Sequence, residues 1–143
     1  MQKLISAAEA KAATTTTPIR VVVVTMDTHL ASSTQRAHAA LLREIPGLHL
    51  SMHAASEYAG NEVALARCKA DIAEADIVVA GMLFLEDHFL PILDDLRARR
   101  AHCDAMICMM SAAEVVKLTR LGKFDMDKPA SGRSEERRVG KEC

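Results

Sequence analysis

Hydrophobic and polar residues occur along this chain in blocks typical of alternating strands and helices. Two continuous apolar runs rich in β-branched residues, 19–25 and 77–82, predict strands that are buried on both faces. A shorter run at 105–109 predicts a further strand of this kind. Between 48 and 53 apolar and polar residues alternate with a period of two, which indicates a half-buried strand at a sheet edge.

Apolar residues at helical spacing separate these predicted strands. In the first helix they predict a buried stripe made of Leu30, Ala37, Leu41 and Ile45. Asp27 or Thr28 is expected to cap this helix, and Asn61 is expected to cap the next one. Ser111 and Glu114 have the spacing of a capping box, so a last helix is predicted over 112–120, ended by Gly122.

The predicted order is strand–helix, repeated four times with short connections. Right-handed crossovers then give an α/β fold with a four-stranded parallel, flavodoxin-like doubly wound sheet. Self-contained domains of this shape usually have five strands. The sheet is therefore expected to be an incomplete part of a larger protein.

The two ends of the chain differ in pattern from the part between them. We predict a flexible leader at 1–18, a folded domain at 19–126 and a disordered tail at 127–143. The last thirteen residues, 131–143, carry too few apolar side chains to pack a core. A solvated native tail is one interpretation. The string also resembles vector-like sequence found at broken ends of reading frames, and we expect 131–143 not to be native.

Composition excludes several classes of function. A net charge of −1 and an aromatic content of 3% argue against a nucleic-acid-binding surface. The longest apolar run, 77–85, is far shorter than the roughly 20 residues that span a bilayer, so no membrane span is expected. The four cysteines form no C-x-x-C motif, which favours buried free thiols and a cytoplasmic location.

Polar residues that follow the first strand are the weak candidates for ligand binding. Ligands of doubly wound sheets bind beyond the carboxyl ends of the strands. Thr25, Asp27 and Thr28 lie there and could hold a phosphate or the polar edge of a ligand. A helix cap explains Asp27 or Thr28 more simply, and the chain contains neither G-x-G-x-x-G nor a P-loop motif.

No metal ligand or catalytic residue is predicted. His49 and His53 share one face of a strand, but no third ligand has a sequence relation to them. Cys103 and Cys108 are expected to point to opposite sides, which argues against a shared metal. No side chains form a recognisable nucleophile–base pair, and no cofactor is expected in this chain.

Three stretches carry a resemblance to a known family: 73–88, 99–106 and 110–124. The last reads S-x-x-E-V-x-[KR]-L-x-[KR]-L-G-x-F and is the most specific. On these stretches, residues 19–126 resemble the N-terminal domain of the large H subunit of magnesium chelatases.

The resemblance implies a porphyrin-binding subunit that inserts Mg²⁺ into protoporphyrin IX. It further implies ATP hydrolysis by two partner subunits of the AAA+ type, in chlorophyll or bacteriochlorophyll synthesis. The chelation machinery of the family lies mostly beyond this domain, so the chain itself is expected to be non-catalytic and to act with the remainder of the large subunit. The alternatives are a fragment of a cobaltochelatase large subunit, from cobalamin synthesis, and a stand-alone flavodoxin-like binding module.

Overall fold

The computed structural model describes residues 17–127, which form one twisted sheet with helices packed against it. The predicted leader and tail fall almost wholly outside these residues, and the division of the chain at 18 and 126 stays a prediction. The elements in chain order are β1 (Ile19–Thr25), α1 (Ala31–Leu42), β2 (Leu48–Ala54), α2 (Ala55–Tyr58), α3 (Glu62–Glu74), β3 (Ile77–Gly81), α4 (Glu86–Arg100), β4 (Ala105–Met109), α5 (Ala113–Val116), β5 (Arg120–Leu121) and β6 (Phe124–Asp125).

The sheet has the strand order β2-β1-β3-β4-β5-β6. Strands β1 to β4 pair in parallel, which confirms the predicted α/β fold and the four-stranded parallel sheet. β2 lies at an edge, as its alternating pattern predicted. The antiparallel hairpin β5–β6 beyond β4 was not predicted.

One face of the sheet holds the hydrophobic core. Its strand residues are nearly inaccessible to solvent, because α3 and α4 cover them with a shared apolar cluster. The strand residues of this buried face are Val22, Val24, Val78, Ala80, Met106 and Cys108. The helices contribute Cys68, Ile72, Phe89, Ile92, Leu93 and Leu96 to the same cluster. The predicted Asn61 cap of α3 is confirmed.

The opposite face is covered much less. The registers place Val21, Val23, Ile77, Val79 and Ile107 on this side, and all five are only half-buried. Among the described helices, α1 is the one that packs here, and it contacts β2 at the edge. The continuous apolar runs predicted strands buried on both faces. Within residues 17–127 the core face is fully buried, whereas the opposite face is buried only in part, as at Thr25, Ala54 and Ala105.

The predicted buried stripe of α1 is wrong. Leu30, Leu41 and Ile45 are exposed, and α1 contains no buried residue. The helix instead turns Ala31, Thr34 and His38 toward the sheet, where they are half-buried or line a cleft. α1 thus presents its apolar stripe to solvent. The spacing of apolar residues predicts such a stripe, but it does not indicate which side of the helix packs against the sheet.

The predicted helix at 112–120 is also shorter than expected. α5 begins after Ala112, which makes no side-chain cap, and ends at Val116. Gly122 does not end a helix; it takes a φ of +61° in the turn that joins β5 to β6. Glycine adopts this left-handed conformation without the steric penalty of a Cβ. The glycine therefore marks a hairpin turn and not the end of a helix.

Candidate functional site at the carboxyl edge of the sheet

The strand order reverses direction between β1 and β3, so the topology places any ligand site beyond the carboxyl ends of these strands. Three segments meet the solvent at this edge: 26–30 after β1, 82–85 after β3 and 110–112 after β4. The predicted candidates Thr25, Asp27 and Thr28 lie in or beside the first of them.

Thr25 closes β1 with its side chain in the interior. It is 3% exposed, and its hydroxyl Oγ1 has no hydrogen-bond partner among the described residues. A buried hydroxyl without a partner costs about 1–3 kcal/mol in desolvation. Burial therefore keeps this hydroxyl out of contact with solvent at the sheet edge.

Asp27 does not cap α1, contrary to the prediction. Its Oδ1 accepts a hydrogen bond from the backbone N–H of His29 at 3.1 Å and pairs with the His29 ring. These bonds to the carboxylate hold the pKa of Asp27 below its ordinary value, the ring bond contributing most. Leu30 occupies the cap position of α1 and supplies no side-chain cap. The carboxylate is therefore engaged within its own loop.

Thr28 borders a half-open cleft of about 270 Å³ between α1 and β2. Its own carbonyl accepts the Ala31 N–H at 2.9 Å, so backbone rather than side chain starts the helix. Glu57 supplies the one carboxylate of the described cleft lining, and the other lining side chains are apolar, polar and uncharged, or histidine. The lining includes Thr34, Gln35, His38, Leu50, Met52 and Glu57. The predicted trio is thus divided among the interior, a local loop and this cleft, and does not form one site.

Backbone bonds join the ends of β3 and β4. The Met82 N–H donates to the Met110 carbonyl at 2.9 Å, and the Ala112 N–H donates to the Leu83 carbonyl at 3.0 Å. Ser111 adds a side-chain link, because its Oγ accepts from the Leu83 N–H and donates to the Met109 carbonyl, each at 3.0 Å. Ser111 therefore fastens two loops together, and the predicted capping box is wrong.

Two methionines at this junction adopt a left-handed backbone conformation. Met82 has a φ of +60° and Met110 a φ of +46°. For a residue with a Cβ this conformation costs on the order of 1–2 kcal/mol, and such strain often marks functional positions. The sequence pattern did not predict either, because methionine carries no turn signal. Met110 is 64% exposed, and Phe84, two residues after Met82, is 56% exposed, so this edge presents apolar side chains to solvent.

The most specific of the resemblance stretches forms the far edge of the sheet. Thr119 Oγ1 accepts from the Cys108 N–H at 3.0 Å and donates to the Cys108 carbonyl at 2.9 Å. The side chain thus makes the two hydrogen bonds that a neighbouring strand would make beside Cys108, at the residue just before β5. Arg120 donates to the carbonyls of Arg100 and Cys103. Arg100 in turn donates to the Leu118 carbonyl and pairs with Asp125 of β6. Side chains of residues 111–125 thus hold this edge of the sheet together.

The other predicted ionisable groups lie in separate places. His53 Nε2 lies 2.6 Å from Asp71 Oδ2, linking β2 to α3, while His49 is exposed. Cys103 and Cys108 both belong to the core cluster, and Cys103 Sγ donates to the Arg100 carbonyl at 3.7 Å. Burial raises the pKa of Cys108 to about 12, which keeps its thiol protonated and unreactive. Within residues 17–127, no group of three or more His, Cys, Asp or Glu could hold a metal ion.

Comparison with known proteins identifies the family. Residues 20–140 match the sequence profile described as "Domain of unknown function (DUF3479)". The chain belongs to this family. It is also homologous to the N-terminal region of the magnesium-chelatase H subunit: it is 44% identical to this protein of Cereibacter sphaeroides over 112 residues, which are 78% of this chain and 9% of the relative.

Two other relatives are also magnesium-chelatase proteins. The magnesium-chelatase H subunit of Rhodobacter capsulatus is 42% identical over 112 residues, again 78% of this chain and 9% of the relative. The chloroplastic magnesium-chelatase protein ChlH of Oryza sativa subsp. indica is 27% identical over 119 residues, covering 81% of this chain and 8% of that protein. The DUF3479 chain therefore spans less than a tenth of the length of these relatives. None of its described helices is long and apolar enough to cross a membrane.

Proposed function

We propose that this chain is an N-terminal portion of the porphyrin-binding H subunit of a magnesium chelatase. The identity of 44% over 112 residues to such a protein carries the proposal. In this function the complete large subunit binds protoporphyrin IX and inserts Mg²⁺ into it, in the cytoplasm, on the route to chlorophyll or bacteriochlorophyll. Two AAA+ subunits supply ATP hydrolysis.

We further propose that the domain assists chelation without performing it. The candidate residues Thr25, Asp27 and Thr28 are separated, and the stretch most typical of the family closes a sheet edge. The domain then contributes by packing on the porphyrin-binding body or by contacting partner subunits. The three relatives compared are all magnesium-chelatase proteins, which favours this function over cobaltochelatase or a stand-alone binding module.

A domain exchange tests the proposal. Residues 19–126 replace the aligned segment of the Cereibacter sphaeroides relative, and magnesium-protoporphyrin formation is followed by fluorescence with the two partner subunits, ATP and Mg²⁺. We expect the exchanged protein to retain activity within a few-fold of the natural one. The matched control carries Val78→Asp, which places a charge in the core and should abolish activity. Activity no higher than that of the control would refute the proposal.

The chain alone supplies a second test. Titration of the 143-residue protein with a soluble porphyrin should give no saturable change in absorbance or fluorescence. Tight, saturable binding would contradict the assignment of a non-catalytic assisting role.

A further inference from the structure

The face of the sheet opposite the core forms a continuous apolar surface, which we call the open face. It consists of Val21, Val23, Ile77, Val79, Ile107 and Met109. None of these side chains is charged, and each is half-buried or exposed. On the other side of the same strands, the residues that face the core, such as Val22, Val78 and Cys108, are at most 3% exposed. Thr25 and Ala105 share this side by strand alternation but are only 3% and 6% exposed, so the open face is the apolar surface formed by the six residues named.

Parallel sheets built from βαβ units are covered by helices on both faces. On the open side the described residues supply only α1, which packs at the β2 edge through Ala31, Thr34 and His38. β1, β3 and β4 have no helix over them on this side among residues 17–127. The exposed stripe of α1, which includes Leu30 and Leu41, adds further apolar surface to the domain.

The homologous proteins contain the polypeptide that could provide this cover. The chain spans 9% of the length of the two bacterial relatives, so most of their length lies outside the matched region. The described chain leaves the sheet at β6, two strands away from β4. At about 4.8 Å per strand, a segment that follows β6 reaches β4 after about 10 Å and β1 after about 19 Å, distances that a short connection can span.

We propose that the open face is the docking site for an amphipathic helix that follows this domain in the complete large subunit. The inference rests on the proposed function, because it takes the partner from the same longer polypeptide. The helix would lie across β1, β3 and β4 with its apolar side on Val79 and Ile107, completing the second layer of the sheet. A second copy of the chain is the competing occupant.

Cysteine accessibility tests the inference. Ile107→Cys and Met109→Cys report on the open face, and Ala98→Cys on the exposed surface of α4 is the matched control. Each is made in a Cys143→Ser background, since Cys68 and the other described native thiols are buried. Labelling rates with a small maleimide are compared between the 143-residue chain and the exchanged full-length protein.

We expect both open-face thiols to be labelled at least about tenfold more slowly in the full-length protein than in the chain alone, with the Ala98→Cys rate unchanged, because a docked helix excludes the reagent. Equal rates in the two proteins would overturn the inference. Protection in the chain alone that grows with protein concentration, together with a doubled mass in solution, would also overturn it in favour of a second copy.

The outcomes separate this inference from the proposed function. An active exchanged protein whose open-face thiols stay reactive would refute the docking site alone. Protection without chelatase activity would support docking and contradict the function. Ile107→Lys gives a second readout: a charge on the open face should lower activity of the exchanged protein about tenfold or more, while leaving thermal unfolding of the isolated chain nearly unchanged. An exchanged protein that stays fully active with Ile107→Lys would refute the docking site.

Discussion

The same substitution should change the free energy of unfolding in opposite directions at two threonines of this domain. Thr119 and Thr25 are each changed to valine, which keeps the β-branched shape and removes only the hydroxyl. Thr119 Oγ1 makes two bonds to the backbone of Cys108, at 3.0 and 2.9 Å, whereas Thr25 Oγ1 makes none within the described chain. The pair therefore isolates the contribution of the hydrogen bonds from that of side-chain volume.

The expected magnitudes follow from what each change leaves behind. Thr119→Val leaves the N–H and carbonyl of Cys108, a residue 3% exposed, without these partners. An unsatisfied buried polar group costs about 1–3 kcal/mol, so we expect a loss of about 2–3 kcal/mol. Thr25→Val removes a buried hydroxyl that has no described partner, and we expect a gain of about 1 kcal/mol from the desolvation cost that is no longer incurred.

The assay is urea unfolding of the 143-residue chain followed by circular dichroism, with thermal unfolding alongside. For a domain of this size a loss of 2–3 kcal/mol corresponds to a fall in Tm of about 10 °C. Thr119→Ser is the control, since it keeps the hydroxyl and should cost about 1 kcal/mol or less. If both valine variants shifted stability in the same direction and by similar amounts, the hydrogen-bond assignment would be wrong.

Three further predictions concern other parts of the domain. Met110→Gly should raise the free energy of unfolding by about 0.5–1 kcal/mol by relieving a positive φ, whereas Met109→Gly, within β4, should lower it; urea midpoints distinguish the two. Tyr58→Phe should cost about 1 kcal/mol by leaving the His88 carbonyl without its donor, measured in the same way. Burial raises the pKa of the Cys68 thiol from 9.0 to about 12, so the folded state retains a proton that the unfolded chain releases. Stability is therefore full below pH 9.0 and falls as the pH rises toward 12. Cys68→Ala should weaken this dependence in urea titrations at several pH values, and the remainder should come from the Cys108 thiol, whose pKa is raised in the same way.

The parallel strands were predictable because both the length of each apolar run and its β-branched residues indicate a strand, and both can be recognised within a few residues. β1 carries four consecutive valines and β3 a short apolar run, so the period and the residue types agree. The sequence of α4 is also locally consistent: Phe89, Ile92, Leu93 and Leu96 keep helical spacing and are buried, and the last turn carries three arginines, where cations suit the helix dipole. These elements pack onto each other within the described chain.

The wrong predictions fall where the partner of a segment is not a neighbour in sequence. The apolar stripe of α1 was expected to face the sheet, but Ala31, Thr34 and His38 do so instead. Ser111 fits a capping box by spacing, but its hydroxyl accepts from the Leu83 N–H of a loop 28 residues away. Thr119 was predicted to lie in a helix, yet its long-range bonds to Cys108 hold the chain against the sheet edge. Single-sequence patterns contain no information on such pairings.

The stretch that most clearly identifies the family thus encodes architecture. Ser111 joins the ends of β3 and β4, Thr119 substitutes for a strand beside Cys108, and Arg100 ties the hairpin to α4 through Asp125. These bonds are long-range within the chain, so the stretch needs its particular residue types to form this sheet edge. It also bears on the open face: the far edge of the sheet is closed by specific bonds, while the apolar surface of β1, β3 and β4 is left for other parts of a longer polypeptide. In the proposed function, the closed edge and the open face together fit a domain that packs against the remainder of the large subunit.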